Sequence, residues 1–154
     1  MISLPMRFMM QALLFLALED QRPATADSMQ DRGNAPVITN LKFEPAAAPQ
    51  GGRVTLRVQV FDRQGREDII PILYLLREGI ELIKTGLYDD GSHGDLIARD
   101  GFYTGTMTVP LTTFSGSHWF VVFLYDQGGH RSNLLIYEFW VLDLDTLVKA
   151  EPIP

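Results

Sequence analysis

The sequence predicts an all-β fold, seven short strands in two packed antiparallel sheets. Three observations predict it. Val54, Leu56, Val58 and Val60 alternate with Arg53, Thr55, Arg57 and Gln59, the period-two pattern of a strand with one face buried and one wet. Short apolar runs are separated by Gly, Pro, Asp and Asn signals at roughly ten-residue spacing. Helical periodicity is weak after residue 30.

Taken in order, Val37–Phe43 is the first strand signal, and Glu44–Gly52 (EPAAAPQGG) reads as a Pro/Gly/Ala connection. The alternating strand over 53–60 follows, then a turn at Asp62–Arg66. Ile69–Leu76 is apolar on both parities, and Pro71 within it belongs at a strand start or bulge because it cannot donate to a ladder. Arg77-Glu78-Gly79 is a hairpin turn into a strand over Ile80–Tyr88. Phe102–Val109, His118–Tyr125 and Asn133–Val141 are the remaining strands. This spacing is that of an immunoglobulin-like, seven-stranded antiparallel β-sandwich over residues 36–142. Strands near 37, 54 and 102 are expected in one sheet, and those near 69, 80, 118 and 133 in the other.

The flanks read differently. Arg7 precedes an apolar stretch, Phe8–Leu18, and Ala24-Thr25-Ala26 supplies a small-x-small site. That order of basic, apolar and small residues is the order of a secretory leader, so residues 1–26 are expected to direct export, to the periplasm, the cell surface or beyond. A helix packed on the domain or an unstructured leader are the alternatives. Residues 27–35 read as a linker and 143–154 as a polar tail.

With 154 residues there is room for one sizeable core. A formal charge of −6 argues against nucleic acid or anionic lipid as the main partner. No run reaches the ~18 apolar residues of a membrane-spanning helix. Cysteine is absent, which excludes disulfides, thiolate metal sites and a cysteine nucleophile.

Two features carry functional information. First, the strands of the second sheet are apolar on both parities. If Phe120, Val122 and Leu124 face the core, then Trp119, Val121, Phe123 and Tyr125 face out; reversed parity exposes the other set. Either way an apolar stripe needs a cover. The chain's own ends or another protein could supply it. The expected contact residues are Trp119, Val121, Phe123, Tyr125, Tyr137 and Trp140. Second, Asp89, Asp90, Asp95 and Asp100 crowd one loop with Gly91, Gly94 and Gly101. Such a loop can converge on Ca²⁺, which takes 6–8 oxygens. Asp90 and Asp95 form the best pair. The spacing is not that of an EF-hand. Asp-Gly is equally a turn dipeptide, so structural use of these residues stands beside the calcium reading.

The stretch Asp89-Asp90-Gly91-Ser92-His93-Gly94-Asp95, followed by Ala98-Arg99-Asp100-Gly101-Phe102-Tyr103-Thr104-Gly105, resembles the DDG-x-x-GD-x-x-A-x-DG-x-Y-x-G signature of bacterial Ig-like modules of the choice-of-anchor X type and their fibronectin-III-like neighbours. Tyr125–Ser132 is similar to the D-x-x-G-N-x-S strand end of the same group, with Gly129-His130 in place of Gly-Asn. The resemblance implies a non-catalytic spacer, adhesive or accessory part of exported and surface proteins.

Catalysis finds little support. His93, His118 and His130 each lie in or beside a turn. Ser92–His93 and Ser117–His118 are sequence neighbours, which point to opposite sides in extended chain. The leading expectation is an exported Ig-like domain acting by protein–protein contact, with itself or within a larger surface assembly. The alternative is a carbohydrate-binding module held by calcium. An exposed aromatic row beside the acidic loop would favour sugar; aromatics mixed with Val, Leu and Ile would favour protein.

Overall fold

The computed structural model describes residues 33–144. The leader expected over 1–26, most of the 27–35 linker and all but the start of the tail lie outside them. Among the described residues, eight strands occur: β1 (Val37–Glu44), β2 (Ala47–Pro49), β3 (Arg53–Phe61), β4 (Ile72–Arg77), β5 (Glu81–Gly86), β6 (Phe102–Thr108), β7 (Gly116–Phe123) and β8 (Leu135–Leu142). They form a sandwich of a three-stranded sheet, β1-β3-β6, and a five-stranded sheet, β2-β8-β7-β4-β5. The all-β class and the partition of the seven longer strands between the sheets are as the sequence predicts.

The eighth strand is a departure. The connection read as Glu44–Gly52 contains β2, which pairs parallel with β8 through Ala47↔Trp140 and Pro49↔Leu142. Pro45 ends the ladder of β1 by lacking a donor, and the chain then crosses to the opposite sheet. An edge strand of three residues tolerates Pro49 because it pairs on one side only. A second difference is that β4 begins at Ile72, after Pro71; Ile69 makes only an isolated bridge to Asp126. The β4–β5 turn fits expectation: Glu78 and Gly79 both have positive φ, 52° and 73°, and the Ile80 N–H closes the turn on the Arg77 carbonyl at 2.9 Å.

The core lies between the sheets. Val54, Leu56 and Val58 of β3 face Leu73 and Leu75 of β4, Phe120 and Val122 of β7, and Phe139 of β8, all buried. Phe43 sits among the aromatics, stacked on Tyr137 at 4.1 Å and tilted against Phe120 and Phe139 at 5.8 Å. Two devices tie the sheets at their edges. On one side the Asn133 carboxamide mimics a strand: its Oδ1 accepts from the Ile38 N–H (2.7 Å) and its Nδ2 donates to the Ile38 carbonyl (2.9 Å). On the other, the Thr85 hydroxyl donates to the Thr106 carbonyl at 2.9 Å. There β5 and β6 approach so closely that a Cβ on Gly105 would lie 2.6 Å from the Gly86 carbonyl oxygen.

That last contact gives a stability test. Because the obstacle is backbone, Gly105→Ala is expected to cost about 1–3 kcal/mol, the usual penalty of overpacking. Urea unfolding of the variant checks it; unchanged stability would show that the two edges are free to part.

Candidate functional site

Two regions hold the residues singled out from sequence: the loops at one end of the sandwich and the outer face of the five-stranded sheet.

The acidic loop joins β5 to β6. After Leu87 the chain crosses to the three-stranded sheet, where Tyr88 and Thr104 exchange two backbone hydrogen bonds of 2.8 Å. The loop then folds back over that sheet's outer face: a Cβ on Gly94 would sit 3.6 Å from the Thr104 methyl and 3.9 Å from that of Thr55. Its coil uses positive φ at His93 and Arg99 as well as at Gly91, Gly94 and Gly101.

Carboxylate oxygens of Asp89, Asp95 and Asp100 lie within 4.8 Å of one another. Asp90 is not among them. It accepts from both the N–H and the hydroxyl of Ser92, and those bonds, the hydroxyl first, lower its pKa. The pairing of Asp90 with Asp95 read from sequence is therefore replaced by a trio without Asp90. The trio is already engaged in shaping the loop. Asp89 Oδ1 accepts from the Asp100 N–H, Asp95 Oδ2 from the Gly91 N–H and Asp100 Oδ1 from the Phe102 N–H. Arg66 approaches Asp89 at 3.7 Å and Arg57 approaches Asp100 at 3.9 Å. Three carboxylates facing two guanidinium groups are a partial match to Ca²⁺, which takes 6–8 oxygens.

A second trio, not singled out from sequence, stands beside the first: Asp62, Asp68 and Asp126, again within 4.8 Å. Asp126 is fully buried, accepts from the His130 N–H and faces His130 Nδ1, both at 2.7 Å. Asp62 Oδ1 accepts from the Gln64 N–H, while its Oδ2 is buried without a hydrogen-bond partner. Burial first, then the charges of Asp126 and Asp62, raise the pKa of Asp68, with His130 opposing. The sequence signal was present: Asp62 and Asp126 each follow a strand and open a turn. Tyr103 lies near both trios; burial and the Asp89 charge raise its pKa, and Arg66 opposes them.

The histidines are accounted for locally. Ser92 Oγ lies 2.6 Å from His93 Nδ1, although extended chain would separate them, because His93 adopts φ 54°. The hydroxyl stands between carboxylate and imidazole, whereas acyl-transfer chemistry needs the imidazole between the other two. The His93 ring stacks on Tyr88 at 3.7 Å. His118 is buried, with Nδ1 2.8 Å from Glu78 and Nε2 2.7 Å from the Phe114 carbonyl.

The outer face of the five-stranded sheet follows from the ladder. Phe120, Val122 and Leu124 point into the core, so Trp119, Val121 and Phe123 point away. One row across the strands reads Ile136, Val121, Leu76, Leu82; the next reads Phe123, Tyr74, Lys84. On the other side Glu138 stands beside Trp119, and Ser117 beside Trp140. Phe123 stacks on Tyr74 at 5.5 Å, and Tyr125 meets both rings edge-on. Val121 and Phe123 are 3% and 5% exposed yet outside the inter-sheet core, while Leu82, Ile136 and Trp140 are 43–51% exposed. Of the expected contact residues, Trp119, Val121, Phe123, Tyr125 and Trp140 share this side. Tyr137 does not: it pairs with Phe120 and stacks on Phe43 inside. Tyr74, Leu76, Leu82 and Ile136 were not foreseen, because only the register places them here. No helix among the described residues is long and apolar enough to cross a membrane.

No protein-family model matches the chain, and no curated protein does. Solved structures of partial likeness include the fibronectin(III)-like modules of CbhA from Clostridium thermocellum, with TM-score 0.44, 17% identity, and 70% of this chain and 47% of that one covered. The SrpA adhesin of Streptococcus sanguinis gives TM-score 0.45 and 14% identity, over 82% of this chain and 63% of that one. A mutant of that adhesin gives 0.44 and 15%, over 73% and 57%. The chain thus spans 47–63% of the lengths of these structures.

The second acidic trio yields a test. A raised carboxyl pKa means that ionised Asp68 weakens the fold, and that the penalty is relieved as pH falls through the folded-state pKa. Asp68→Asn is expected to raise the melting temperature at neutral pH, with the gain shrinking in acid. A lowered melting temperature at neutral pH would contradict the charge penalty within this trio.

Proposed function

We propose that this chain is a non-enzymatic, exported Ig-like module that works by protein–protein contact through the outer face of its five-stranded sheet. The observation that carries the proposal is the contrast between the two outer faces. On the three-stranded sheet, Arg53, Thr55, Arg57 and Gln59 alternate with the core residues of β3, as a solvated face requires. On the five-stranded sheet the same positions hold Tyr74, Leu76, Leu82, Trp119, Val121, Ile136 and Trp140, with few polar residues among them. Leu82, Ile136 and Trp140 stand 43–51% exposed around Val121 and Phe123, which are already closed over. Exposed apolar side chains grouped in this way mark an interaction surface, and covering each of the three is worth about 1–1.5 kcal/mol, half of a full burial.

Protein fits this face better than sugar. The aromatics are interleaved with Leu, Val and Ile, which gives a rough apolar relief. The acidic loop that the calcium-held carbohydrate reading needs beside them packs instead against Thr55 and Thr104 of the opposite sheet. Export rests on the order of Arg7, Phe8–Leu18 and Ala24-Thr25-Ala26.

Light scattering of the secreted chain tests the proposal. The wild-type chain is expected in an assembly larger than a monomer. Trp140→Arg and Ile136→Arg are expected to release it while leaving its unfolding curve unchanged, since both side chains are exposed. Leu96→Arg, 84% exposed on the acidic loop, is the control and should leave the assembly intact. An assembly that survives both arginines overturns the assignment of this face.

A further inference from the structure

The apolar face carries two charges whose positions say what it meets. Lys84 belongs to β5, in the row of Phe123 and Tyr74, with its ammonium 5.2 Å from the centre of the Tyr74 ring. Glu138 belongs to β8, in the row of Trp119, where its carboxylate accepts from the Ser117 hydroxyl. Both are exposed. Between these two rows runs the row Ile136, Val121, Leu76, Leu82.

The separation follows from sheet geometry. The two residues are three strands apart across β8-β7-β4-β5, about 14 Å at ~4.8 Å per strand, and two two-residue steps apart along the strands, again about 14 Å. They therefore stand at opposite corners of the face, on a diagonal whose midpoint falls between Val121 and Leu76.

We propose that the occupant of this face is a second copy of the same chain, packed face to face about a two-fold axis that passes between Val121 and Leu76. An axis lying in the interface at right angles to the diagonal brings Lys84 of each copy onto Glu138 of the other, so both charges are paired twice by one operation. The same axis turns the strands of one sheet about 90° from those of the other, which is one of the two relative orientations in which sheets pack. It seats Trp119 against the Leu82 side of the opposing copy. Such isologous contact requires self-complementarity, and a Lys and a Glu balanced across an apolar centre supply it. Four strands of six to eight residues give a face of about 20 Å by 20–25 Å, about 400–500 Å² per copy, the size of a weak, reversible contact rather than of a permanent one.

The inference rests on the reading of this face as a contact surface, and a charge-swap series on the full chain separates the two. Dimerisation is measured by sedimentation equilibrium for wild type, Lys84→Glu, Glu138→Lys and the double variant. Each single reversal places like charges together and is expected to weaken the dimer about tenfold or more, while the double swap restores it to within about threefold. Two weakened singles without rescue in the double overturn this two-fold arrangement. A wild-type chain that stays monomeric at high micromolar concentration overturns the second copy as occupant and leaves the face to a different protein. A dimer indifferent both to the swaps and to Trp140→Arg overturns the face itself.

Discussion

The register of β7 is the constraint on which the rest depends. It is paired on both sides within its sheet, with Phe120 opposite both Tyr137 and Arg77, and Val122 opposite both Leu135 and Leu75. Side chains alternate along a strand, so a slip of one residue would bring Trp119, Val121 and Phe123 into the core and send Phe120, Val122 and Leu124 out. Both sets are apolar, and polarity alone does little to choose between them. The choice falls to shape: Phe120 fits against Phe43, whose ring also meets Phe139, and Val122 and Leu124 fill the layer without exposure. Once β7 is fixed, its ladders set the parity of β8 and β4, and β4 sets that of β5.

That arrangement makes the two sides of the molecule chemically unlike. The three-stranded sheet turns Arg, Thr and Gln outward and is partly covered by its own acidic loop, which the arginines help to hold: Arg57 lies over the Phe102 ring at 4.3 Å and approaches Asp100. The aspartates of that loop accept backbone N–H groups, so their first use is to shape the coil. The five-stranded sheet turns aromatics and branched aliphatics outward, and on that difference the proposed contact rests.

Much of this was legible in the sequence, and the misses have physical causes. The alternation of Val54 to Val60 placed β3 outright. The assignment of strands to sheets followed from turn spacing. The strand β2 was hidden because Ala47-Ala48-Pro49 has weak strand preference and pairs only through its neighbour β8. Tyr137 was assigned outward with Trp140, yet the two lie three residues apart and must face opposite sides; Glu138, polar and even-numbered, marked the outer parity. Asp89, Asp95 and Asp100 meet while Asp90 turns aside because of left-handed residues such as His93, a conformation that spacing does not reveal. Asp126 joins Asp62 and Asp68 only through tertiary contact.

The most direct measurement is hydroxyl-radical footprinting of the full chain, comparing dilute purified protein with the assembly expected at high concentration. Protection is expected to concentrate on Leu82, Ile136 and Trp140, with the exposed Phe61, Leu96 and Phe114 unchanged. Protection of Phe61 and Leu96, with Trp140 as reactive in the assembly as in dilute solution, would place the contact elsewhere and contradict the assignment of the five-stranded sheet.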